Sequence, residues 1–287
     1  MAESMRPVEA VSKGGDGYGV LFWAAAVWFA LVVVAAVAGD LFPLPDPDRI
    51  SPADKYLPVL SEGHLLGTDQ LGRDILARLV DGSRISMIIS FVTVIVGISV
   101  GGLLGTTVGY FGGKIEAAAM AVVNIALSFP ALVVLLGVIA MVGQSLKVLT
   151  IVFSLLAIPA YTRFARASAI SLKQREWVAA SQMMGATTPR VVGLVLLPEV
   201  LITLVTFGLL ALGGVIVAEG AIAFLGFGVP PPQATWGGMI ADGNRAFADD
   251  IVHVALVPAT TMFFTIVSLN LLGDGLRRRL QVREAQI

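Results

Sequence analysis

Between two long apolar runs of the chain lies the mixed segment Glu176-Trp177-Val178-Ala179-Ala180-Ser181-Gln182-Met183-Met184-Gly185-Ala186. Nine residues separate Gly185 from the string Val195-Leu196-Leu197-Pro198. A short helix in this segment would expose Trp177, Val178 and two methionines to water unless another protein covered them. Glycine readily adopts the left-handed conformation that closes helices, so Gly185 is the expected end of such a helix. The alternative is a solvated loop between helices.

The composition of the whole chain is that of a membrane protein. Mean hydropathy is +0.87, 56% of the residues are hydrophobic and only 14% are charged, whereas soluble domains carry about 25% charge. Six segments are apolar and long enough to approach the roughly 20 residues that cross a bilayer. They are residues 20–39, 85–109, 117–142, 148–160 with an extension to 170, 201–218 and 251–272. Because backbone groups in lipid must be satisfied within the segment, the sequence predicts an all-α membrane protein with six transmembrane helices.

The distribution of positive charge predicts the orientation of these spans. With the N-terminus inside, the inner segments 1–19, 110–116, 161–200 and 273–287 hold 12 of the 19 Lys and Arg residues, and the outer segments hold 7. Basic residues favour the cytoplasmic side, so both termini are expected in the cytoplasm. One alternative is signal-peptide cleavage after Ala36-Val37-Ala38, although the apolar run before it, of about 19 residues, exceeds the 7–15 of a signal segment.

The predicted organisation has five parts. Residues 1–19 form a cytoplasmic tail, 20–39 the first span, 40–84 an outer loop, 85–280 the core with spans two to six, and 281–287 a second tail. The core contains the loop 171–190 and an outer excursion at 219–250. Apolar residues at helical spacing between 74 and 84 predict an amphipathic helix at the outer interface.

Glycines recur every fourth residue in the second span, at Gly97, Gly101, Gly105 and Gly109. Small residues at this spacing allow two helix backbones to approach closely. Packing inside the chain is the favoured interpretation, and a subunit interface is the alternative.

The sequence lacks the motifs of several chemistries. Gly112-Gly113-Lys114-Ile115 has no hydroxyl residue after its lysine, so it is not a phosphate-binding loop, and no ATP site is expected. The chain has no cysteine, and His64 and His253 lie in no metal-ligand pattern. We therefore predict no catalytic residue, no metal, no cofactor bound by this chain and no nucleic-acid partner. Asn124 and Asn270 are the main polar residues inside spans; they are candidates for a translocation path, or else for hydrogen bonds between helices.

Residues 176–198 resemble the "EAA…G…I-LP" loop of ABC-importer permeases. Matching positions are Glu176, Ala180, Gly185, Ala186, Leu197 and Pro198, whereas Ala179 and Ser181 replace the motif's Glu and last Ala. In that family the loop forms a coupling helix that docks on a separate ATPase, which binds ATP and Mg. The resemblance therefore implies ATPase coupling by Glu176, Trp177, Ala179, Ala180, Ser181, Gly185, Ala186 and Pro198.

Two further motifs resemble the C-type permeases of the dipeptide, oligopeptide and nickel importer group. The first is Leu66-Gly67-Thr68-Asp69-Gln70-Leu71-Gly72-Arg73-Asp74, which continues to Arg78 and departs from the pattern at Ala77. The second runs from Phe224 to Met239, and its tryptophan suits an interfacial position. The resemblance implies an outer surface that docks a binding protein, with candidate residues Thr68, Asp69, Arg73, Asp74, Arg78, Pro231 and Trp236. The alternative is a purely structural role.

The resemblance covers roughly residues 20–280 and implies the type I importer permease fold in a bacterial cytoplasmic membrane. It implies ATP-driven import of peptides, with a homologous B-type permease, two ABC ATPases, an extracytoplasmic peptide-binding protein and membrane lipids as partners. Alternative substrates are nickel chelates, haem and glutathione. An ion-coupled secondary transporter and a non-transporting membrane scaffold are the remaining alternatives.

Overall fold

The computed structural model describes residues 19–284, and the secondary structure within this range is helical, with two isolated β-bridges and no strand. Most of the predicted tail 1–19 and the last three residues of the predicted tail 281–287 lie outside the described residues. The helices are α1 (Val20–Ala38), α2 (Ile75–Phe111), α3 (Gly113–Ser128), α4 (Ala131–Val142), α5 (Leu146–Lys173), α6 (Glu176–Met183), α7 (Thr188–Phe224), α8 (Trp236–Gly243) and α9 (His253–Glu284). Short 3-10 turns occupy Gly39–Leu41, Pro52–Asp54 and Asn244–Asp249.

Five of these helices, α1, α2, α5, α7 and α9, are long and apolar enough to cross a membrane. The prediction of an all-helical membrane fold is confirmed, and α2, α5, α7 and α9 are longer than the sequence suggested. Helix α7 begins at Thr188 rather than near residue 201, and α9 extends beyond residue 272 to Glu284. Polar residues at the helix ends, which hydropathy leaves out of a span, simply continue the helix.

The predicted third span, residues 117–142, is a bent pair rather than one straight helix. Helices α3 and α4 meet at an angle of 77° and count as a sixth span only if taken together. Phe129 between them is extended, with φ −85° and ψ 131°. The following Pro130 disfavours the helical conformation in the residue before it, which explains the break.

The predicted amphipathic helix at residues 74–84 does not exist as a separate element. Asp74 instead caps the start of α2, where its side chain accepts a hydrogen bond of 2.7 Å from the Ala77 N–H. The helix then continues without interruption to Phe111, with one π-helical turn at Gly97–Gly101. Ile75 is buried under residues of the two outer excursions, Ala234 and Met239 among them. This cover explains why the first turns do not lie on the membrane surface.

Helices α2 and α5 cross in closest contact at the glycine stripe. A Cβ on Gly105 would lie 2.3 Å from the Thr162 carbonyl oxygen and 2.6 Å from the Ala165 Cβ. Gly97 and Gly101 similarly face the ring and backbone around Tyr161. The stripe therefore serves packing inside the chain, as favoured from the sequence, and its face is already occupied by α5.

The two outer excursions fold together over one end of the bundle. We call residues 39–74 and 225–252 the cap. Ala234, Met239 and Ala246 of the cap form an apolar core with Ile75 of α2 and Val254 of α9. The opposite end of the bundle carries α6, which contacts Tyr110 near the far end of α2. The fold thus places the two predicted functional regions at opposite ends of the same long helix.

Candidate functional site

Helix α6 has well-defined ends. Glu176 occupies its first turn, where a carboxylate interacts favourably with the helix dipole. Gly185 follows its C-terminus with φ +85°. The N–H of Gly185 donates to the Gln182 carbonyl at 2.9 Å, and the N–H of Ala186 donates to the Ser181 carbonyl at 3.1 Å. These two bonds form a Schellman motif, so Gly185 ends the helix as the sequence predicted.

One side chain anchors α6 to the bundle. Val178 is only 1% exposed and packs against Val191 and Leu196 of α7, both fully buried. The expectation that Val178 would face water is therefore wrong, because this side of the short helix packs against the bundle. Gln182 adds a polar contact, because its amide donates to the Tyr110 hydroxyl at 3.2 Å. Helix α6 is thereby held against both α2 and α7.

The outward side of α6 is apolar and uncovered by the described chain. Trp177 is 42% exposed, Met183 86% and Met184 82%. We call these three residues the α6 surface. Trp177 is the one member of the predicted coupling set on this surface; of the others, Glu176, Ala179, Ala180, Gly185 and Pro198 are exposed, and Ser181 and Ala186 are half-buried. Six of the eight predicted coupling residues are therefore exposed on the outside of the bundle.

The predicted docking residues of the outer region lie inside the cap. Thr68, Asp69, Arg73, Asp74 and Arg78 are each 5% exposed or less. A binding protein cannot reach side chains at this depth in this conformation, so here the structural alternative fits better than direct contact. Sequence reasoning treated them as surface groups because charged residues are seldom fully buried.

Ion pairs and hydrogen bonds compensate the burial of these charges. Arg73 Nε lies 2.7 Å from Asp69 Oδ2, and Arg78 Nη1 lies 3.3 Å from Asp48 Oδ1. His64 Nδ1 lies 2.8 Å from Asp74 Oδ2. A buried charge is tolerated when it is both paired and hydrogen-bonded. The network connects the cap to the first turns of α2.

The other two predicted docking residues differ from one another. Trp236 is 1% exposed, and its indole N–H donates to the Leu79 carbonyl at 3.1 Å. Its predicted interfacial position is therefore wrong, because the ring fills the space between cap and bundle. Pro231 is exposed and remains on the cap surface. Of the seven predicted docking residues, Pro231 alone is accessible.

Glu219 is a buried acid in the part of α7 nearest the cap. It is 1% exposed, it lies on α7, and its carboxylate faces Thr235 and Gly237. Neither oxygen has a hydrogen bond of normal geometry. The cap covers this end of α7, which is why the residue does not reach water.

The two asparagines considered for a translocation path have different surroundings. Asn124 on α3 accepts a hydrogen bond of 2.7 Å from Arg163 Nη2 of α5. It lines a cleft between these helices together with Glu116 and Arg166. Asn270 is exposed on α9, and its side chain has no hydrogen bond to any other described residue. The structure therefore brings Asn124 into a polar cluster and leaves Asn270 outside it.

The charged members of this cleft were not singled out from the sequence. Arg166 donates to Glu116, with Nε 2.6 Å from Oε1. The two residues are 50 positions apart, and no periodicity connects them. Only their chemistry, opposite charges near the ends of apolar segments, was a usable signal. Within residues 19–284, no group of three or more His, Cys, Asp or Glu is arranged to hold a metal ion.

The fold and its long apolar helices define a multi-pass, all-helical membrane protein. The chain belongs to the family described as the binding-protein-dependent transport system inner membrane component, which matches residues 97–285. The chain is thus a permease component of ABC importers and a multi-pass protein of the bacterial inner membrane, and this family component is not itself catalytic. The three motifs predicted an ABC-importer permease, and this prediction is confirmed.

Similar proteins agree with this assignment. The chain is 32% identical over 256 residues to the glutathione transport system permease protein GsiD of Pectobacterium atrosepticum, which covers 88% of this chain and 84% of the relative. It is 34% identical over 213 residues to the di/tripeptide transport system permease protein DppC of Pseudomonas aeruginosa, covering 74% and 70%. GsiD of an Escherichia coli strain is 31% identical over 255 residues, covering 88% and 83%.

Proposed function

We propose that the chain is the C-type permease subunit of an importer that carries short peptides, driven by ATP hydrolysis on separate subunits. The α6 surface is the observation that carries this proposal. The helix and the residue after it expose one tryptophan and two methionines, and a cluster of exposed apolar side chains of this kind marks a contact with another protein. Family membership makes an ATPase subunit the fitting partner.

The assembly that follows has two ATPase subunits, a homologous B-type permease and an extracytoplasmic peptide-binding protein. The ATPases dock on the α6 end of the bundle, so this end and both termini face the cytoplasm. The binding protein contacts the exposed surface of the cap around Pro231, because the motif residues beneath it are buried. ATP and Mg remain on the partner subunits.

Motion passes from the ATPases to the helices through α6. Val178 connects α6 to α7, and Gln182 connects it to α2. A displacement of α6 therefore acts on two long helices at once. Transport then alternates between two arrangements of packed helices, each favoured by a different state of the ATPases.

A test uses the absence of cysteine from the natural sequence. Met183→Cys and Pro231→Cys each introduce a single exposed thiol at opposite ends of the bundle. In intact cells, a membrane-impermeant maleimide should label Pro231→Cys and leave Met183→Cys unlabelled until the membrane is opened. In the assembled complex, a short bismaleimide should cross-link Met183→Cys, and not Pro231→Cys, to a cysteine-bearing ATPase subunit. External labelling of Met183→Cys, or no cross-link from it, would contradict the proposal.

Glutathione import is a second candidate, favoured by the similarity to the glutathione permeases over 88% of the chain. The two substrates are distinguished by ATP-dependent uptake of labelled dipeptide and of labelled glutathione in proteoliposomes containing the complete transporter and its binding protein. Uptake of the dipeptide with no competition from excess glutathione supports peptides. Uptake of glutathione with no competition from excess dipeptide supports the second candidate.

A further inference from the structure

A polar cleft of about 460 Å³ opens between α3 and α5, within the half of the bundle nearer α6. Glu116, Met120 and Asn124 line one side at spacings of four residues, which places them on one face of α3. Arg163 and Arg166 line the other side from α5. Three charged side chains and one amide therefore meet in a region where the surrounding spans are apolar.

The position of the cleft along the bundle follows from the packing of α5 on α2. The α5 backbone around Thr162 and Arg166 crosses α2 at Gly105. Gly105 is six residues from the end of α2 at Phe111, or about 9 Å at the helical rise of 1.5 Å per residue. Helical side chains lean toward the N-terminus of their own helix, so the Arg163 side chain leans farther from the α6 end. The Arg163 guanidinium therefore lies about 9 Å or more along the bundle from the end of α2 beside α6.

The charges of the cleft do not balance. Arg166 is paired with Glu116 through its Nε, and a second contact joins its Nη2 to the same oxygen. Arg163 is exposed to the cleft, and its one side-chain hydrogen bond within the described chain goes to the neutral amide oxygen of Asn124. It forms an ion pair with none of residues 19–284 for which side chains are described. The cleft therefore carries one positive charge that none of these described side chains balances.

We propose that Arg163 and Asn124 form a subsite on the translocation path that binds the carboxylate of the passing peptide. This rests on the proposed peptide substrate. The guanidinium offers paired N–H donors that match a carboxylate in geometry as well as charge. Asn124 accepts from Arg163 through its oxygen, which leaves its amide N–H₂ group as a further donor. Glu116 and Arg166 beside it balance each other's charge, so Arg163 is the cleft residue left to bind a negatively charged substrate.

A peptide carboxylate fits the position better than a lipid phosphate. Phospholipid phosphates lie at the membrane interface, whereas Arg163 lines a cleft between two helices, about 9 Å along the bundle from the end of α2. A passing substrate also explains why the charge lacks a permanent partner. A permanent ion pair with a carboxylate of the protein would prevent the Arg163 guanidinium from binding a substrate on the translocation path.

The experiment compares two peptides that differ only in charge, in proteoliposomes containing the complete transporter. One has a free C-terminal carboxylate and the other a C-terminal amide, and the pair is chosen for equal affinity to the binding protein by calorimetry. Initial ATP-driven uptake is measured for wild type, Arg163→Gln, Arg163→Lys and the control Lys147→Gln. Lys147 is exposed near the other end of α5, so this control removes the same charge from the same helix.

The expected result is selective. Arg163→Gln should lower uptake of the acid about tenfold, the usual effect of losing one charge-assisted hydrogen bond, and leave the amide near its wild-type rate. Arg163→Lys should retain part of the acid uptake, and Lys147→Gln should change neither peptide. Equal loss of both peptides in Arg163→Gln indicates a structural role and overturns the inference alone. Absence of any ATP-dependent peptide uptake by the wild type overturns the proposed function and the inference with it.

A chemical rescue separates charge from shape. Arg163→Cys places a single thiol in the cleft of an otherwise cysteine-free chain. An aminoethyl thiosulfonate adds a positive charge there and should restore acid uptake, and a neutral methyl thiosulfonate of the same chemistry should not. Wild-type complex treated with both reagents controls for thiols on the partner subunits. Equal rescue by both reagents contradicts a charge-based role.

The lipid alternative has its own arm. Wild type and Arg163→Gln are compared in vesicles of phosphatidylcholine alone and in vesicles that contain phosphatidylglycerol. The proposal expects the acid-selective defect of Arg163→Gln in both. Binding of a lipid phosphate predicts a different result. The wild-type transporter would then lose uptake of both the acid and the amide in vesicles without phosphatidylglycerol, and uptake by Arg163→Gln would be the same in both kinds of vesicle.

Discussion

Replacing Gly185 tests whether the short helix α6 must keep its shape for transport. The residue has φ +85°, and a Cβ added there would meet no atom within 4 Å. An alanine at this position is therefore strained by its backbone alone and clashes with nothing. The left-handed conformation costs an L-residue about 1–2 kcal/mol. Such a cost changes the equilibrium between the folded and the locally unfolded C-terminus of α6 by a factor of about 5–30.

A series of substitutions grades this strain. Gly185→Asn should be the mildest change, since asparagine tolerates the left-handed region better than other residues. Gly185→Ala should be intermediate and Gly185→Val the most severe, because β-branched residues are outliers there. Gly193→Ala is the matched control: its added Cβ also meets nothing within 4 Å, and no positive φ is involved.

The assay is hydrogen–deuterium exchange of the peptide covering residues 176–186, read beside ATP-driven uptake. Exchange should quicken by about 5–30-fold in Gly185→Ala, and uptake should fall in the same order as the series. Gly193→Ala should match wild type in both measurements. Unchanged exchange in Gly185→Val, or an equal defect in Gly193→Ala, would refute the reasoning from conformational strain.

Three other perturbations test the packing described above. Gly105→Val should separate α2 from α5 and lower the free energy of unfolding by about 1–3 kcal/mol. Gly137→Ala is the control and should be neutral, because its added Cβ meets nothing within 4 Å. Thermal unfolding of the purified complex measures both variants. Arg73→Ala should cost about 1.5–3 kcal/mol because it removes the charge-assisted hydrogen bond to the buried Asp69 at 2.7 Å and leaves only Arg78, at 3.7 Å, to balance that carboxylate. Limited proteolysis of the cap should detect the loosening. Glu219→Gln should keep or raise the melting temperature, since neither carboxylate oxygen has a normal hydrogen bond to lose; a drop of several degrees would contradict this.

The long apolar helices and the end of α6 were predictable from the sequence because they follow local rules. A run of apolar residues long enough to cross a bilayer forms a helix wherever it lies in the fold. Gly185 closes α6 through bonds within six residues of chain. The break at Pro130 obeys an equally local rule and was missed only because hydropathy alone was used to draw the third span.

The interior of the cap and the cleft were not predictable, because they depend on contacts between distant segments. Arg78 meets the Pro232 carbonyl, 154 positions away, and the Trp236 indole meets the Leu79 carbonyl, 157 positions away. A motif rich in Asp and Arg has the composition of a surface loop until its partners are known. The same holds for Glu116 and Arg166, whose pairing appears only once α3 lies beside α5.

The uninterrupted course of α2 has a mechanical consequence. Its 37 residues form a rod about 55 Å long at 1.5 Å per residue, with the cap attached to its first turns and α6 in contact with its last. A tilt of about 10° at one end would carry the other end through roughly 10 Å over that length. The end of α2 under the cap and the end beside α6 therefore belong to one continuous rod, so a displacement of either end is transmitted along its whole length.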